Sequence, residues 1–279
     1  MIVDGHTHLF MLDTKRYPLA NSGSDYRPVL EGSAVELRRR MDEAGIDRAL
    51  TITTGFYGWD NQYTFDQLRG NRTWLATGVL VDPSSPSGPD DLVRAVLAGA
   101  CDLRIQRHLH YHRSLDDPVS TPLWRKAAEL DLTVDVNATH EEYEAVERRV
   151  REFPGTRVIL DHCGYVSGEL RPSVNTINPA IALSKYDNVF VKLTFISLAS
   201  VNAYPFADVQ WMVRGLVDHF GAERCIFGTN YPAEQYSPKA SMKELVALFH
   251  RDLGLSTAEQ RWIMGDTARR LWKWDETGS

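Results

Sequence analysis

The chain has 279 residues, of which 43% are hydrophobic and 24% charged, as is ordinary for a soluble globular protein with a sizeable core. Its formal net charge of −6, without a long basic run, argues against nucleic acid as the main partner. No apolar run approaches the roughly 20 residues of a membrane helix, and no signal-type segment precedes the first strand. We therefore expect a cytoplasmic protein without a membrane partner. Cys101, Cys163 and Cys225 are far apart, which favours buried free thiols over a zinc or redox site.

Segments with the pattern of a strand alternate with segments with the pattern of a helix along almost the whole chain. The first strand starts at Ile2 and Val3, and a capping box of Ser33 and Glu36 opens a helix that ends at Gly45. Further strands are predicted at 48–54, 74–81, 102–108, 132–137, 157–162, 188–195 and 224–231. Further helices are predicted along the chain. One ends at 68, two span 89–100 and 242–251, two lie within 121–130 and 206–220, two start at 139 and 256, and a short one follows 179.

Eight strands that are each followed by a helix predict an α/β fold, a single (β/α)₈ TIM barrel with a C-terminal helical extension. No linker or low-complexity segment interrupts the alternation, so we expect one domain over residues 1–279. The alternative is an open doubly wound sheet, whose Gly-rich phosphate motif is missing here.

Polar side chains stand at the predicted ends of most strands, which is where a TIM barrel carries its chemistry. His6 and His8 end the first strand, and side chains two apart on a strand point to the same side. The others are Thr54, Asp82, Arg107, His108, Asn137, His162, Lys192, Thr194 and Asn230. This convergence predicts an enzyme site, although His162 after its apolar run also fits a core histidine.

Two cationic residues are candidates for holding an anionic group of the substrate. Only one of Arg107 and His108 can face the barrel interior, and Arg104 shares the side of Arg107. Lys192 lies in an apolar strand, where an unpaired ammonium group would be costly to bury. It therefore either meets an anion in the site or pairs with a carboxylate. His110 and His112 lie beyond the strand and are expected to be bystanders.

Aromatic residues surround the same predicted strand ends. Tyr57, Trp59 and Tyr231, together with Phe56, either form a wall for a flat substrate or simply cap the barrel. Asn137 at the end of the fifth strand is a further candidate for substrate binding.

Five segments, in the same order, resemble the amidohydrolase-related (amidohydrolase 2) family of TIM-barrel enzymes. Asp4-Gly-His-Thr-His8 is similar to its opening Asp-x-His-x-His, and 158–164 to its Asp-His-x-Gly strand end. The other segments are 188–194 (Asn-Val-x-Val-Lys-Leu), 224–232 (Phe-Gly-Ser-Asp-x-Pro in the family) and 265–271. The family includes lactonases, such as 2-pyrone-4,6-dicarboxylate and sugar-acid lactonases, and decarboxylases. Related barrels often pair, so the resemblance leaves a homodimer open.

Asn230 departs from the pattern of that family. The family usually carries an aspartate at this position, which binds a metal or accepts a proton from the attacking water. An amide cannot act as a base at neutral pH, and it is a poor zinc ligand beside imidazole or carboxylate. Either the enzyme uses another base, or the hydrolytic reaction has been given up.

The first hypothesis is a lactonase-type hydrolase that works without a tightly bound metal on a small carboxylated cyclic ester or amide. His6, His8 and His162 donate to the substrate carbonyl oxygen as it gains negative charge. Asn230 positions water or the leaving oxygen, and Arg107 and Lys192 hold the anionic group. The base is one of the histidines or a carboxylate of the substrate.

Two other hypotheses keep the same fold. In one, His6, His8 and His162 hold a single divalent metal, zinc or manganese, in a lyase such as a decarboxylase or dehydratase. Such a reaction needs no attacking water, which suits Asn230. In the other, the barrel is catalytically inactive and binds a ligand.

Overall fold

The computed structural model describes residues 1–20, 27–106, 114–164, 172–235 and 237–274. Its eight parallel strands follow one another around a single sheet in the order of the sequence. They are β1 (Val3–Thr7), β2 (Arg48–Ile52), β3 (Leu75–Leu80), β4 (Ala100–Gln106), β5 (Thr133–Asn137), β6 (Arg157–Leu160), β7 (Val189–Leu193) and β8 (Cys225–Phe227). Backbone hydrogen bonds from the end of β1 to the segment after β8 close the sheet into a barrel. The predicted (β/α)₈ architecture is confirmed.

Helices connect the strands on the outside of the barrel. They are α1 (Ala34–Ala44), α2 (Gln62–Leu68), α3 (Gly88–Leu97), α4 (Thr121–Glu129), α5 (Tyr143–Glu152), α6 (Val174–Ala182), α7 (Ile196–Ala199), α8 (Gln210–Phe220), α9 (Met242–Ala247), α10 (Thr257–Arg261) and α11 (Thr267–Leu271). The Ser33 hydroxyl accepts a hydrogen bond from the backbone N–H of Glu36 and so starts α1, and Gly45 ends it with φ 73°. Within the described residues, no helix is long and apolar enough to cross a bilayer.

The N-terminal end of the barrel is filled by apolar side chains. Val3, Leu50, Ile159, Phe190 and Ile226 form a cluster inside the barrel that is separate from the larger core under the helices. Trp272, which follows α11, packs against this cluster, and its indole N–H donates to the hydroxyl of Thr133 at 3.1 Å. The C-terminal extension therefore closes the end of the barrel that lies opposite the loops carrying the chemistry.

The strands β6, β7 and β8 end earlier than predicted, and in each case the chain adopts a left-handed conformation within three residues of the strand end. His162, Phe195 and Asn230, after β6, β7 and β8, have φ values of 55°, 58° and 58°. A left-handed residue cannot continue a strand, so these strands end at Leu160, Leu193 and Phe227.

Candidate active site

Three buried histidines lie in contact at the C-terminal end of the barrel. The ring centroids of His8 and His162 are each 4.8 Å from that of His6, and the Nε2 atoms of His6 and His8 are 3.2 Å apart. No more than 4% of any of the three residues is exposed. The end of β1 supplies two of the rings, and the turn after β6 supplies the third.

A hydrogen bond to the backbone determines which ring nitrogen of His8 carries the proton, and the proton position on His6 follows from it. Nδ1 of His8 lies 2.9 Å from the carbonyl oxygen of Ile52, which can only accept, so this nitrogen carries the proton. The Nε2 of His8 is then unprotonated in the neutral ring, and it accepts from the Nε2–H of His6. The order of donation is thus from His6 to His8 to the backbone.

His162 is held between a hydroxyl and a guanidinium group. Its Nε2 lies 3.4 Å from Nη2 of Arg104, and its Nδ1 lies 2.7 Å from the hydroxyl of Thr194. Because a guanidinium group only donates, Nε2 accepts and Nδ1 donates to Thr194. The donation from His162 to a substrate carbonyl stays a prediction, and these contacts already engage its one N–H.

A network of buried charges lies directly beneath the histidines. Asp161 accepts from Nε and Nη2 of Arg104 at 3.0 and 2.9 Å, and its Oδ1 lies 3.2 Å from Nδ1 of His6. Lys192 contacts Asp135 at short range and lies 3.3 Å from Nδ1 of His6 and 3.6 Å from Asp161. The site therefore contains two buried cations, Arg104 and Lys192, each in contact with a buried carboxyl group.

The surroundings keep the imidazoles neutral. Burial first and the positive charge of Arg104 second lower the pKa of His8 to about 3. Burial also lowers the pKa of His6 and of His162 well below the usual histidine value, although the charge of Asp161 opposes it. At neutral pH the three rings therefore act as hydrogen-bonding groups without formal charge.

The same surroundings keep Asp161 and Lys192 charged. Burial alone would raise the pKa of Asp161, but the positive charges of Arg104 and Lys192 outweigh it and hold the pKa well below its usual value. Burial alone would lower the pKa of Lys192, but the carboxylates of Asp135, Asp161 and Asp102 raise it above its usual value. The two groups consequently form fixed charges in a medium that screens them weakly.

Asn230 brings an amide into this polar region. Its backbone N–H donates to the carbonyl oxygen of His6 at 2.8 Å, and only 1% of the residue is exposed. Neither polar atom of its side-chain amide has a hydrogen-bond partner among the described residues. A buried amide without partners costs free energy, which a ligand that bonds to it would recover.

The other predicted site residues fall into different surroundings. Lys192 is fully buried and pairs with the carboxylate of Asp135, the second of the two alternatives, and its contact with a substrate anion stays a prediction. Asn137 ends β5 with its side-chain oxygen buried and without a partner among the described residues. Arg107, like His108, His110 and His112, lies outside the described residues, and its contact with substrate stays a prediction.

The aromatic residues do not all share one wall. The hydroxyl of Tyr57 accepts from the backbone N–H of Met11 at 2.9 Å, which ties the loop after β1 to the loop after β2. Tyr231 is buried beside the histidines, since its carbonyl oxygen accepts from the N–H of His8 at 2.7 Å. Trp59 lines a groove of about 470 Å³ with Phe65 of α2, and none of the three histidines lines that groove.

Arg104, Asp135 and Asp161 hold the site together, and the sequence did not single them out as site residues. One signal was available. Arg104 alternates with apolar neighbours in β4, as Asp135 does in β5, so each shares the interior side of its strand. A polar residue at an interior position of a buried strand needs a partner, and in a closed barrel that partner lies across the interior.

The histidine and aspartate side chains of the site are of types that bind divalent metals. Among the described residues, His6, Asp161 and His162 offer ligand atoms that lie within 4.8 Å of one another. This set replaces the expected His8 with a carboxylate, a combination typical of zinc and manganese sites. Metal-bound imidazoles normally donate to an acceptor, whereas here Lys192 and Arg104 place donors against two of these rings. An ion would therefore bind against the repulsion of both cations.

Comparison with known proteins connects the chain to an enzyme family. A family model described as Amidohydrolase matches residues 3–274. The chain is 24% identical over 241 residues to an L-fucono-1,5-lactonase of Burkholderia ambifaria, covering 84% of this chain and 81% of that protein.

Solved structures share the fold over almost the whole chain. A probable 2-pyrone-4,6-dicarboxylic acid hydrolase from Acinetobacter baumannii, with citric acid bound, superposes with a TM-score of 0.84 at 16% identity, covering 98% of this chain and 99% of that one. A zinc-bound amidohydrolase from Burkholderia multivorans gives 0.77 at 18%, covering 98% and 99%. The 5-carboxyvanillate decarboxylase of Sphingomonas paucimobilis gives 0.72 at 15%, covering 98% of both chains. At these identities the likeness establishes the barrel alone.

Proposed function

The chain belongs to the amidohydrolase family, an enzyme family, and from this premise we propose that it hydrolyses a small carboxylated cyclic ester or amide. The observation that carries the proposal is the buried cluster of three neutral imidazoles beside the partnerless amide of Asn230. Once the hydrogen bond from His6 to His8 opens, such a cluster offers an acceptor for the proton of water and a donor for a carbonyl oxygen. The likeness to a sugar-acid lactonase supports a lactone as the substrate.

In this proposal, His8 is the general base. The attacking water displaces the N–H of His6 as the donor to Nε2 of His8. This nitrogen then takes a proton from the water, whose oxygen adds to the carbonyl carbon of the ring. The bond to the ring oxygen then breaks, and the same imidazole returns the proton to that oxygen. One water is consumed, and a hydroxy acid with one additional carboxyl group is released.

The negative charge that develops on the carbonyl oxygen needs donors. The side-chain amide N–H of Asn230 is the candidate, because this group is buried and has no partner among the described residues. The N–H groups of Arg104 supply positive charge nearby, since Nη2 reaches Nε2 of His162 at 3.4 Å. Preorganised donors of this kind stabilise the tetrahedral intermediate.

An anionic substrate suits the electrostatics of the site. A base with a pKa of about 3 removes protons weakly, and the charge of Arg104 contributes to that low pKa of His8. A carboxylate bound near Arg104 would offset this field and raise the pKa of the imidazole toward the working range. The substrate would thus activate its own base, and Arg107 stays the predicted second contact for the anion.

The proposal is tested with a panel of carboxylated lactones and the variant His162→Ala. His162 accepts from Nη2 of Arg104 and so holds that charge in place. Losing one well-placed group in such a site costs roughly 3 kcal/mol of barrier, so turnover should fall by about two to three orders of magnitude. His219→Ala is the matched control, because His219 is exposed on α8 and should leave turnover unchanged. A fall of less than about tenfold would remove His162 from the mechanism, and no hydrolysis of any lactone would contradict the proposed reaction.

A second candidate is a metal-dependent lyase, such as a decarboxylase or dehydratase, acting on a small aromatic or cyclic acid. It is favoured by the His6, Asp161 and His162 group, which would hold a zinc or manganese ion as an electron-withdrawing centre. Asn230 would then only orient the acid. Elemental analysis before and after chelation separates the two candidates. About one metal per chain, lost together with activity, would favour the lyase, and lactone hydrolysis that survives chelation would favour the hydrolase.

A further inference from the structure

We propose that Lys192 is a positioning residue that fixes His6 in its Nε2–H form. The role of this form in turnover rests on the proposed function, whereas the proton position itself does not. Lys192 is fully buried and 3.3 Å from Nδ1 of His6. An ammonium group can only donate, so a hydrogen bond from Lys192 requires Nδ1 of His6 to be unprotonated.

A competing contact would impose the opposite form. Oδ1 of Asp161 lies 3.2 Å from the same Nδ1, and a carboxylate would draw the proton onto that nitrogen. However, this 3.2 Å contact does not meet hydrogen-bond geometry, since Oδ1 of Asp161 has no hydrogen-bond partner among the described residues. The position of Lys192 does meet the hydrogen-bond geometry.

The contact of the other ring nitrogen of His6, Nε2, indicates the same tautomer. Nε2 of His6 and Nε2 of His8 are 3.2 Å apart, and one of the two must carry the proton for them to bond. His8 donates from Nδ1 to the carbonyl oxygen of Ile52, so in the neutral ring its Nε2 only accepts. The proton between the rings therefore belongs to His6, which leaves Nδ1 of His6 to accept from Lys192.

Asp135 holds Lys192 in the position that this donation requires. It contacts Nζ at short range from β5, on the far side of β6 from β7, and neither side chain is exposed. The ammonium group also lies 5.8 Å from the ring centroid of Trp272, the residue that fills the end of the barrel. A single chain of donors and acceptors thus runs from Asp135 through Lys192, His6 and His8 to the backbone of β2.

The tautomer decides what the pair presents to a substrate. With the proton on Nε2 of His6, one ring donates and the other accepts, which is what transfer of a proton from water requires. With the proton on Nδ1, both Nε2 atoms would be acceptors, which is the arrangement of two metal ligands. Lys192 therefore favours the donor and acceptor pair over the ligand pair.

The test reads the protonation of each ring nitrogen by ¹⁵N NMR of protein labelled at histidine. The His6 signals are identified among those of the nine histidines by their loss in His6→Gln. In the wild-type protein we expect a protonated Nε2 and a bare Nδ1. In Lys192→Met the proton should shift to Nδ1, because a charge-assisted hydrogen bond to Asp161, made once the ring turns toward it, is stronger than the bond between two neutral imidazoles. Lys192→Arg should restore the original form because a guanidinium group also donates.

Lys192→Met leaves Asp135 without its partner, so Lys192→Met combined with Asp135→Leu provides a second variant without an isolated buried charge. Lys185→Met is the control, because Lys185 forms an exposed pair with Glu147. It should change neither the ring protonation nor turnover. His6 that keeps its Nε2 proton in either folded Lys192→Met variant would overturn the proposal, as would an Nδ1 proton in the wild-type protein.

Turnover supplies a separate readout. A catalytic histidine in the wrong tautomer lowers kcat by about four orders of magnitude in serine proteases, so we expect Lys192→Met to lower kcat at least about 100-fold with little change in KM. A kcat within about tenfold of wild type would contradict the role in catalysis. If the wild-type protein opened no lactone, the proposed function would fail, while the NMR result would still decide the role of Lys192.

Discussion

Arg104→Met removes the main partner of a fully buried carboxylate and should strongly destabilise the protein. Arg104 is 3% exposed and donates twice to Oδ2 of Asp161, at 3.0 and 2.9 Å. Removing one partner of a buried pair costs about 3–5 kcal/mol. The lower end applies here, because Asp161 keeps the ammonium group of Lys192 at 3.6 Å. A loss of about 3 kcal/mol corresponds to a Tm lowered by about 6–12 °C for a chain of this size.

The effect should depend on pH in a defined direction. The folded-state pKa of Asp161 lies well below the ordinary value of 3.8, so its contribution to stability is present above that value and is lost as the pH falls. Without Arg104 the pKa is lowered less, and the contribution shrinks. The difference in stability between wild type and Arg104→Met should therefore be largest near neutral pH and should narrow only below the ordinary value of 3.8, as the pH falls to about 3 and Asp161 takes up a proton in the variant before it does so in wild type.

Urea unfolding followed by tryptophan fluorescence measures this difference at both pH values. Arg149→Met is the matched control. Arg149 is also buried, but its carboxylate partner Glu152 is 45% exposed, and its other acceptors are two backbone carbonyls and two hydroxyls. Its cost should hardly change with pH. A difference below about 1 kcal/mol for Arg104→Met at neutral pH, or one that does not narrow in acid, would refute this reasoning.

Two further changes test the barrel around the site. In Gly5→Ala the new methyl group would lie 2.4 Å from Cγ2 of Ile226, so urea unfolding should show a free energy of unfolding lowered by about 1–3 kcal/mol. Gly155→Ala, where the methyl group would enter open space, is the control and should change it by no more than about 0.5 kcal/mol. Equal losses would contradict the packing argument. Burial raises the pKa of Asp4 to about 6, so its contribution to stability is present below about pH 4 and is lost as the pH rises through 6. Asp4→Asn should remove this dependence, leaving a stability curve about 1–3 kcal/mol flatter between pH 4 and 7; parallel curves would contradict it.

The sequence predicted the barrel because its signals are local. Each strand is a short apolar run between turn residues, and α1 has its cap at Ser33 and its end at Gly45 within the segment itself. The three histidines were found for the same reason, since each follows or ends such a run. The left-handed turns at Phe195 and Asn230 were not predicted, because the backbone angle of a single residue outside glycine leaves no reliable pattern.

The charged contacts inside the barrel could not be predicted from local sequence patterns. An ammonium group in the apolar strand β7 indicated that Lys192 needs a partner, and the sequence left two alternatives open. Its partner Asp135 is 57 residues away on β5, two strands along the sheet. Which carboxylate contacts Nζ depends on the width of the barrel and on the level of each residue along the barrel axis. Neither can be predicted from the sequence of a single segment.

The seam that closes the barrel has a consequence for folding. The backbones of His6 and His8 bond to those of Asn230 and Tyr231, and Asp4 accepts from Thr229, a contact that spans 225 positions of the chain. The reactive groups thus come together only when the two ends of the sheet meet. Contacts so distant in sequence form late, because closing a long loop costs entropy before they reward it. During refolding, we expect the recovery of activity to lag behind the burial of the tryptophans, which would make enzymatic turnover a direct reporter of barrel closure.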